Sequence, residues 1–107
     1  MDVKKMKNTE YDFRLADGTT VKCTITFYFL YQLKNKNKSL YARYNKILQD
    51  TDKDSFDILD MVTIVYVGYV CAHLHDENIM TEEEFLQLCG SDLQEISKAV
   101  TALVRPK

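Results

Sequence analysis

The sequence predicts a mainly α-helical domain of the α+β class, in which an N-terminal β-hairpin is followed by a bundle of four to five helices around one buried helix. Two observations support this fold class. Residues 61–74 lie in the longest run without Asp, Glu, Lys or Arg, and that run is too long for an ordinary strand. Near the N-terminus, Asp17-Gly18 separates two stretches in which apolar and polar residues alternate, a pattern typical of a hairpin.

The central helix is predicted over about residues 56–75. Asp54 or Ser55 can accept hydrogen bonds from its first turn. Because this helix is apolar on all sides, it must also be covered on all sides. Its apolar run is shorter than the ~20 residues of a membrane span, so we expect the rest of the chain to cover it. Gly68 and Ala72, four residues apart, predict a close approach by a neighbouring helix.

The elements before the central helix follow from alternation and helical spacing. The apolar positions of the hairpin are Tyr11, Phe13, Leu15, Val21, Cys23 and Ile25. Thr26 is a predicted N-cap for a short helix over residues 27–33, and Ser39 begins another. The apolar face of this second helix contains Leu40, Tyr44, Ile47 and Leu48, with Tyr41 beside them. The two segments form either one kinked helix or two helices joined by a turn.

Two further helices are predicted after the central one. Thr81 and Glu84 have the spacing of a capping box, in which each side chain accepts from the other residue's backbone N–H. This helix ends at Gly90 and carries Phe85, Leu86 and Leu88. Ser91 and Gln94 repeat the capping pattern for a last helix, which Pro106 ends. Its inward positions are Leu93, Ile96, Val100, Leu103 and Val104.

The length of 107 residues predicts a single domain over residues 1–107, with 1–8 and 105–107 expected to be flexible. No apolar core follows the N-terminal lysines, so we expect no signal peptide and no membrane anchor. The three cysteines include no closely spaced pair, which argues against a disulfide framework. These observations favour a reducing cytoplasm.

Charge is distributed unevenly along the chain. Residues 1–49 hold ten Lys and Arg against four acids, a balance of +6, whereas residues 50–107 hold four against twelve, a balance of −8. Such a chain could meet a partner, or copies of itself, through opposite faces. The alternative is that the two halves neutralise each other within one fold.

Three aspartates have part of the spacing of a calcium loop. Asp50, Asp52 and Asp54 occupy positions 1, 3 and 5 of an EF-hand pattern. Ser55 then stands where the sharp turn needs Gly, and Met61 stands where a bidentate acid is needed. A solvated acidic loop therefore explains these residues better than a calcium site.

Neither zinc binding nor catalysis is predicted. Of Cys71, His73 and His75, the first and last would share a helical face, but no second Cys/His pair completes a tetrahedral set. The sequence contains no nucleophile elbow and no glycine-rich phosphate loop. We therefore expect a protein that is not an enzyme and that needs no cofactor.

The segment 34–46 interleaves five positive charges with Tyr41 and Tyr44, a pattern that could contact phosphates and stack on bases. However, the whole chain is acidic, and both tyrosines fall on the apolar face of their helix. A solvated basic surface or a protein contact explains the segment better than nucleic-acid binding.

Several motifs, in order, resemble the tail assembly chaperones of long-tailed phages and prophages of Gram-positive bacteria. They begin at Thr26 and run through residues 30–33, 35–38, 40–41, 44–46, 66, 69–72 and 81–86. The resemblance covers about nine-tenths of the chain, from the hairpin to the final helix. It rests on order and spacing, because none of these motifs is a catalytic fingerprint.

The resemblance implies a non-enzymatic chaperone that coats the apolar-rich tape-measure protein and keeps it soluble until tail-tube subunits polymerise around it. It implies action in the cytoplasm of the bacterial host, absence from the mature virion, and contact with the tape-measure protein and with the tail-tube protein. We also expect a homo-oligomer, and no nucleic-acid or membrane partner. The alternatives are a small nucleic-acid-binding regulator that uses segment 34–46 and a structural adaptor without chaperone activity.

The surface predicted to mediate self-association or client contact combines the apolar face of the early helices, the neighbouring lysines and the outer edge of the hairpin. Its residues are Leu33, Lys34, Lys36, Lys38, Tyr41 and Tyr44. A chaperone needs apolar surface that is hidden when no client is present, and self-association is one way to hide it. The alternative is that the apolar members of this set belong to the core.

Overall fold

The structure is a computed structural model that describes residues 10–50 and 57–104. Its described part contains an antiparallel hairpin, β1 (Glu10–Arg14) and β2 (Thr20–Thr24), followed by helices α1 (Phe27–Lys36), α2 (Lys38–Asp50), α3 (Ile58–Ala72), α4 (Glu82–Cys89) and α5 (Leu93–Val104). The predicted fold class is therefore confirmed. The expected flexible ends, 1–8 and 105–107, lie outside the described residues.

Helix α3 is the centre of the fold. Every residue from 62 to 71 is buried, because β2 and the helices α1, α2, α4 and α5 all pack against it. The predicted bounds of 56–75 are wrong at the C-terminal end, since the helix ends at Ala72 and turns follow it. His73 N–H donates to the carbonyl of Val70, three residues back, which tightens the last turn. No helix in the described segments is both long enough and apolar enough to cross a membrane.

Helix α3 begins one residue after Asp57, which is its N-cap but makes no side-chain capping hydrogen bond. The predicted caps, Asp54 and Ser55, lie outside the described residues. The first two helical residues, Ile58 and Leu59, are exposed, so the buried stretch of α3 starts one turn into the helix.

Gly68 allows the close approach that its spacing from Ala72 predicts. A Cβ at this position would lie 2.9 Å from Leu103 Cδ1 on α5 and 3.1 Å from Cys23 Cβ on β2. The missing side chain therefore lets a strand and a helix pack against the same part of α3.

The hairpin puts one face on α3 and α5. Phe13 pairs with Val21 and Tyr11 pairs with Cys23, so these side chains share a face, and Phe13 and Cys23 are fully buried. At the turn, Gly18 has φ 93° and donates its N–H to the carbonyl of Leu15. Gly18 thus supplies the positive φ that the Asp-Gly pair predicts.

Helices α1 and α2 are separate, which settles a point that the sequence leaves open. Asn37 interrupts them with φ −148°, and its side-chain Oδ1 accepts from Leu40 N–H at the start of α2. The predicted start at Ser39 is one residue late, because Lys38 is already helical.

The predicted N-caps are confirmed for two helices and wrong for a third. Thr26 Oγ1 accepts from Phe29 N–H, and Thr81 and Glu84 form the complete capping box. The predicted pair Ser91–Gln94 is wrong by one residue, because α5 begins at Leu93 and Asp92 Oδ1 accepts from Glu95 N–H.

Three leucines of the last two helices are at least partly exposed, and for Leu93 this contradicts the predicted inward position. Leu86, Leu88 and Leu93 are 39%, 36% and 50% exposed. On α4 the inward positions are Phe85 and Cys89, four residues apart, so the leucines lie on the two flanks of that helix. Leu93 precedes the buried stripe of α5, which begins at Glu95.

Candidate interaction surface

Helix α1 presents a row of exposed aromatic side chains, here called the aromatic surface: Phe27, Tyr28 and Tyr31. They are 92%, 63% and 66% exposed. Large aromatic side chains normally contribute apolar area to a core or an interface. A row of three on one short helix therefore marks this surface as a candidate contact site.

Local structure fixes the direction of the aromatic surface. Thr26 sets the first turn, and Leu33 is fully buried on the opposite side of α1. Phe27, Tyr31 and Lys34 follow one another at helical spacings of four and three, so they lie on one face. The aromatic surface consequently continues into a positive charge.

Two apolar residues of the predicted contact set are in the core. Leu33 is 0% exposed and Tyr44 is 6% exposed, so both side chains pack in the core of the folded chain, which is the alternative that the sequence leaves open. Burial also raises the pKa of Tyr44 to about 12. Tyr41 is half-buried against the same core.

The three lysines of the predicted set have different surroundings. Lys34 Nζ lies 5.6 Å from the ring centroid of Tyr41, within the range of a cation–π contact. Lys36 Nζ donates a hydrogen bond to the carbonyl of Leu74, just beyond the C-terminal end of α3. Lys38 is exposed at the start of α2. Lys34 and Lys38 are therefore the lysines of this set that can meet a partner without breaking a hydrogen bond within the chain.

Helix α4 presents a second surface of opposite charge, here called the acidic surface: Glu83, Glu84, Leu86 and Leu88. Glu83 and Leu86 are three residues apart, and Glu84 and Leu88 are four apart, so each pair shares a side of the helix. All four residues are exposed, whereas Phe85 and Cys89 face the core. The exposed half of α4 thus has acids between two flanking leucines.

The sequence contains a pattern that separates the aromatic surface from the buried side of α1. In a helix over residues 27–33, Phe27, Tyr28 and Tyr31 lie on the side opposite Leu33. Only one side can face α3, so a helical projection alone separates the two sets. It does not say which set is buried, because both are apolar.

Cys71 and His75 do not share a face of one helix. The helix that was to align Cys71 with His75 ends at Ala72, and His73 Nδ1 lies 2.7 Å from Asp76 Oδ2. Within residues 10–50 and 57–104, no group of three or more His, Cys, Asp or Glu side chains could hold a metal ion. The aspartates at 52 and 54, and the side chain at 50, lie outside the described part.

The three cysteines are buried and free. Burial raises the pKa of Cys23 and Cys71 to about 12, and that of Cys89 to about 11. Because the thiolate is the reactive form, these thiols are poor nucleophiles at neutral pH. They contribute packing to the core instead.

A cavity of about 500 Å³ opens between the hairpin turn and the connection from α4 to α5. Arg14, Ser91 and Asp92 supply its polar groups, and Cys89 is also part of its lining. Asp92 Oδ1 accepts the N–H of Glu95 at the start of α5, and Cys89 is buried. These two groups therefore serve the cap of α5 and the core.

Comparison of the chain with protein-family models, with curated proteins and with solved structures finds no match. Functional interpretation thus depends on the two surfaces of opposite charge and on the resemblance in motif order. The aromatic surface is the stronger of the two structural observations, because Phe27 is almost completely exposed.

Proposed function

We propose that this protein is a non-enzymatic chaperone of phage tail assembly, which binds the tape-measure protein and keeps it soluble while the tail tube forms. The observation that carries the proposal is the aromatic surface of α1, where Phe27 is 92% exposed. Exposed apolar patches on soluble proteins mark interaction sites, because leaving them in water is unfavourable. The resemblance in motif order supplies the identity of the client.

The chemistry of the aromatic surface suits an apolar-rich client. Tyrosine combines a large apolar ring with a hydroxyl group, so it can pack on aliphatic side chains and still tolerate water. Aromatic residues also carry much of the binding energy in protein interfaces. Lys34, which continues the row on α1, would favour client segments in which acidic residues accompany the apolar ones.

The proposal includes the cellular setting that the resemblance implies. The protein would act in the cytoplasm of the bacterial host, would associate with itself and with the tape-measure and tail-tube proteins, and would be absent from the finished virion. It would do this without catalysis, and the raised pKa values of its three buried thiols support that view.

Nucleic-acid binding through segment 34–46 is supported less well. Tyr44 is buried, which removes one of its two candidate stacking side chains, and Lys36 is bonded to Leu74. A regulator of this type would lose affinity steeply as salt rises. The chaperone proposal expects little affinity for DNA or RNA at physiological salt, which fluorescence anisotropy can measure.

Co-expression with a candidate tape-measure protein tests the proposal. We expect the client to remain soluble only when this protein is present, and the two to co-elute in size-exclusion chromatography with light scattering. A client that precipitates equally with and without this protein would refute the proposal. The same trace gives the stoichiometry of the complex.

A further inference from the structure

The two surfaces lie in regions of opposite charge. Residues 18–49 include six Lys and Arg and no acid, whereas residues 54–97 include ten acids and no Lys or Arg. In the fold, α1 belongs to the first region, and α4 belongs to the second. The helix with the aromatic surface therefore comes from a basic part of the chain, and the helix with the acidic surface comes from an acidic part.

Part of this charge is neutralised within the fold. Arg43 on α2 holds Glu82 at the start of α4 through two hydrogen bonds of 2.7 Å. This pair uses the acid of α4 that lies nearest the core. Lys34, Lys38 and Glu83 remain exposed to solvent, so an external partner can reach them.

The exposed apolar side chains make the two surfaces complementary in a second respect. The aromatic surface offers Phe27, Tyr28 and Tyr31, and the acidic surface offers Leu86 and Leu88 beside its carboxylates. Docking one on the other would cover apolar area on both sides and would bring lysines to glutamates. Docking two aromatic surfaces together would instead bring Lys34 of one copy near Lys34 of the other, and like charges oppose that contact.

We propose that, when no client is bound, the acidic surface of α4 on a second copy of this chain covers the aromatic surface of α1. The contact is heterologous, since a different surface is used on each copy, and each pair leaves one surface of each kind free for further copies. As an account of how the client site is regulated, it rests on the proposed function. A client would bind by displacing the neighbouring copy from α1.

Two double variants test this contact, because each removes one surface and keeps the other. Phe27→Ser with Tyr31→Ser removes the aromatic surface, and Glu83→Lys with Leu86→Ser removes the acidic surface. We expect each to self-associate at least about tenfold more weakly than the wild type in size-exclusion chromatography with light scattering. In an equimolar mixture, the intact acidic surface of the first variant should bind the intact aromatic surface of the second. The resulting heterodimer should not grow, because its two remaining surfaces are the altered ones.

The control is Leu59→Ser, which removes a 63% exposed leucine at the start of α3 and should leave association unchanged. Circular dichroism should show that every variant is folded, since all the altered side chains except Glu83 are exposed apolar groups and Glu83 is an exposed acid. Wild-type association should also weaken as salt rises.

Three results would overturn the inference: a monomeric wild type, variants that associate like the wild type, or a mixture of variants that stays monomeric. Client solubility separates this inference from the proposed function. The acidic-surface variant should still keep the tape-measure protein soluble, because its α1 is intact. If one of these three results is found but the wild type keeps the client soluble, only the inference about self-association is wrong. If the client precipitates with the wild type, the proposed function is wrong.

Discussion

Glu95 is a buried carboxylate that joins α5 to β1. Its Oε2 accepts hydrogen bonds from the Tyr11 hydroxyl at 3.1 Å and from Arg14 N–H at 3.0 Å, and the residue is 8% exposed. Burial, followed by the bond to Glu95, raises the pKa of Tyr11. This contact is not predictable from the sequence, because a glutamate near the start of a helix is ordinarily solvated.

Replacing Glu95 with Ala should lower the free energy of unfolding by about 1–3 kcal/mol, since the change leaves the Arg14 N–H and the Tyr11 hydroxyl without their acceptor. Glu77→Ala, in the exposed loop after α3, is the control and should change it by less than about 0.5 kcal/mol. Urea denaturation measures both. Equal effects of the two substitutions would contradict the role of Glu95.

Gly68 stabilises the fold because it has no side chain, which lets α5 and β2 pack closely against α3. Gly68→Val would force atoms into Leu103 and Cys23, at distances already below 3.2 Å for a single Cβ. We expect a loss of about 1–3 kcal/mol by thermal denaturation, despite the better helix propensity of Val. Ser97→Val on exposed α5 is the control, and a Gly68 variant as stable as that control would refute the close packing.

Arg43 on α2 connects three helices. It bonds to Glu82 on α4 and lies 3.4 Å from Thr63 Oγ1 on α3. The hydrogen bond to Arg43 holds the pKa of Glu82 below its usual value. Because the folded-state pKa is lowered, the stabilisation is present at neutral pH and is lost as pH falls below the ordinary glutamate value of about 4.3.

Arg43→Ala should therefore destabilise the protein at pH 7 by up to about 1 kcal/mol, a limit that allows for the partial exposure of both side chains. At pH 3 the difference from the wild type should shrink towards zero. Urea unfolding at the two pH values tests this, with Lys22→Ala, on an exposed 3.9 Å pair with Glu10, as the control. A difference that does not depend on pH would rule out the Glu82 contact as its source.

The elements were predictable where local chemistry decides their ends, as at Thr26, at the Thr81–Glu84 capping box and at Gly18. They were not predictable where packing decides. The apolar run continues through Leu74, which is buried after α3 has ended, so composition could not locate that end. Ser91 and Asp92 are both good N-caps, and the choice between them depends on how α5 docks.

The fold class was predictable from two features of the sequence. A helix that is apolar all round needs cover on all sides, and an Asp-Gly pair between alternating runs needs a hairpin. The exposed surfaces could not be predicted from the sequence in the same way. Residues 27–33 are apolar on both sides, so the sequence alone could not assign Leu33 to the core and Phe27 to solvent.

The aromatic surface of α1 is the part of the molecule that we propose keeps an apolar-rich client soluble. The decisive experiment measures the soluble yield of the tape-measure protein co-expressed with the wild type, with the Phe27→Ser/Tyr31→Ser variant, or with the Leu59→Ser control. We expect the wild type and the control to keep the client soluble, and the folded aromatic-surface variant to fail. Equal client solubility with that variant and with the wild type would refute a role of the aromatic surface in client binding.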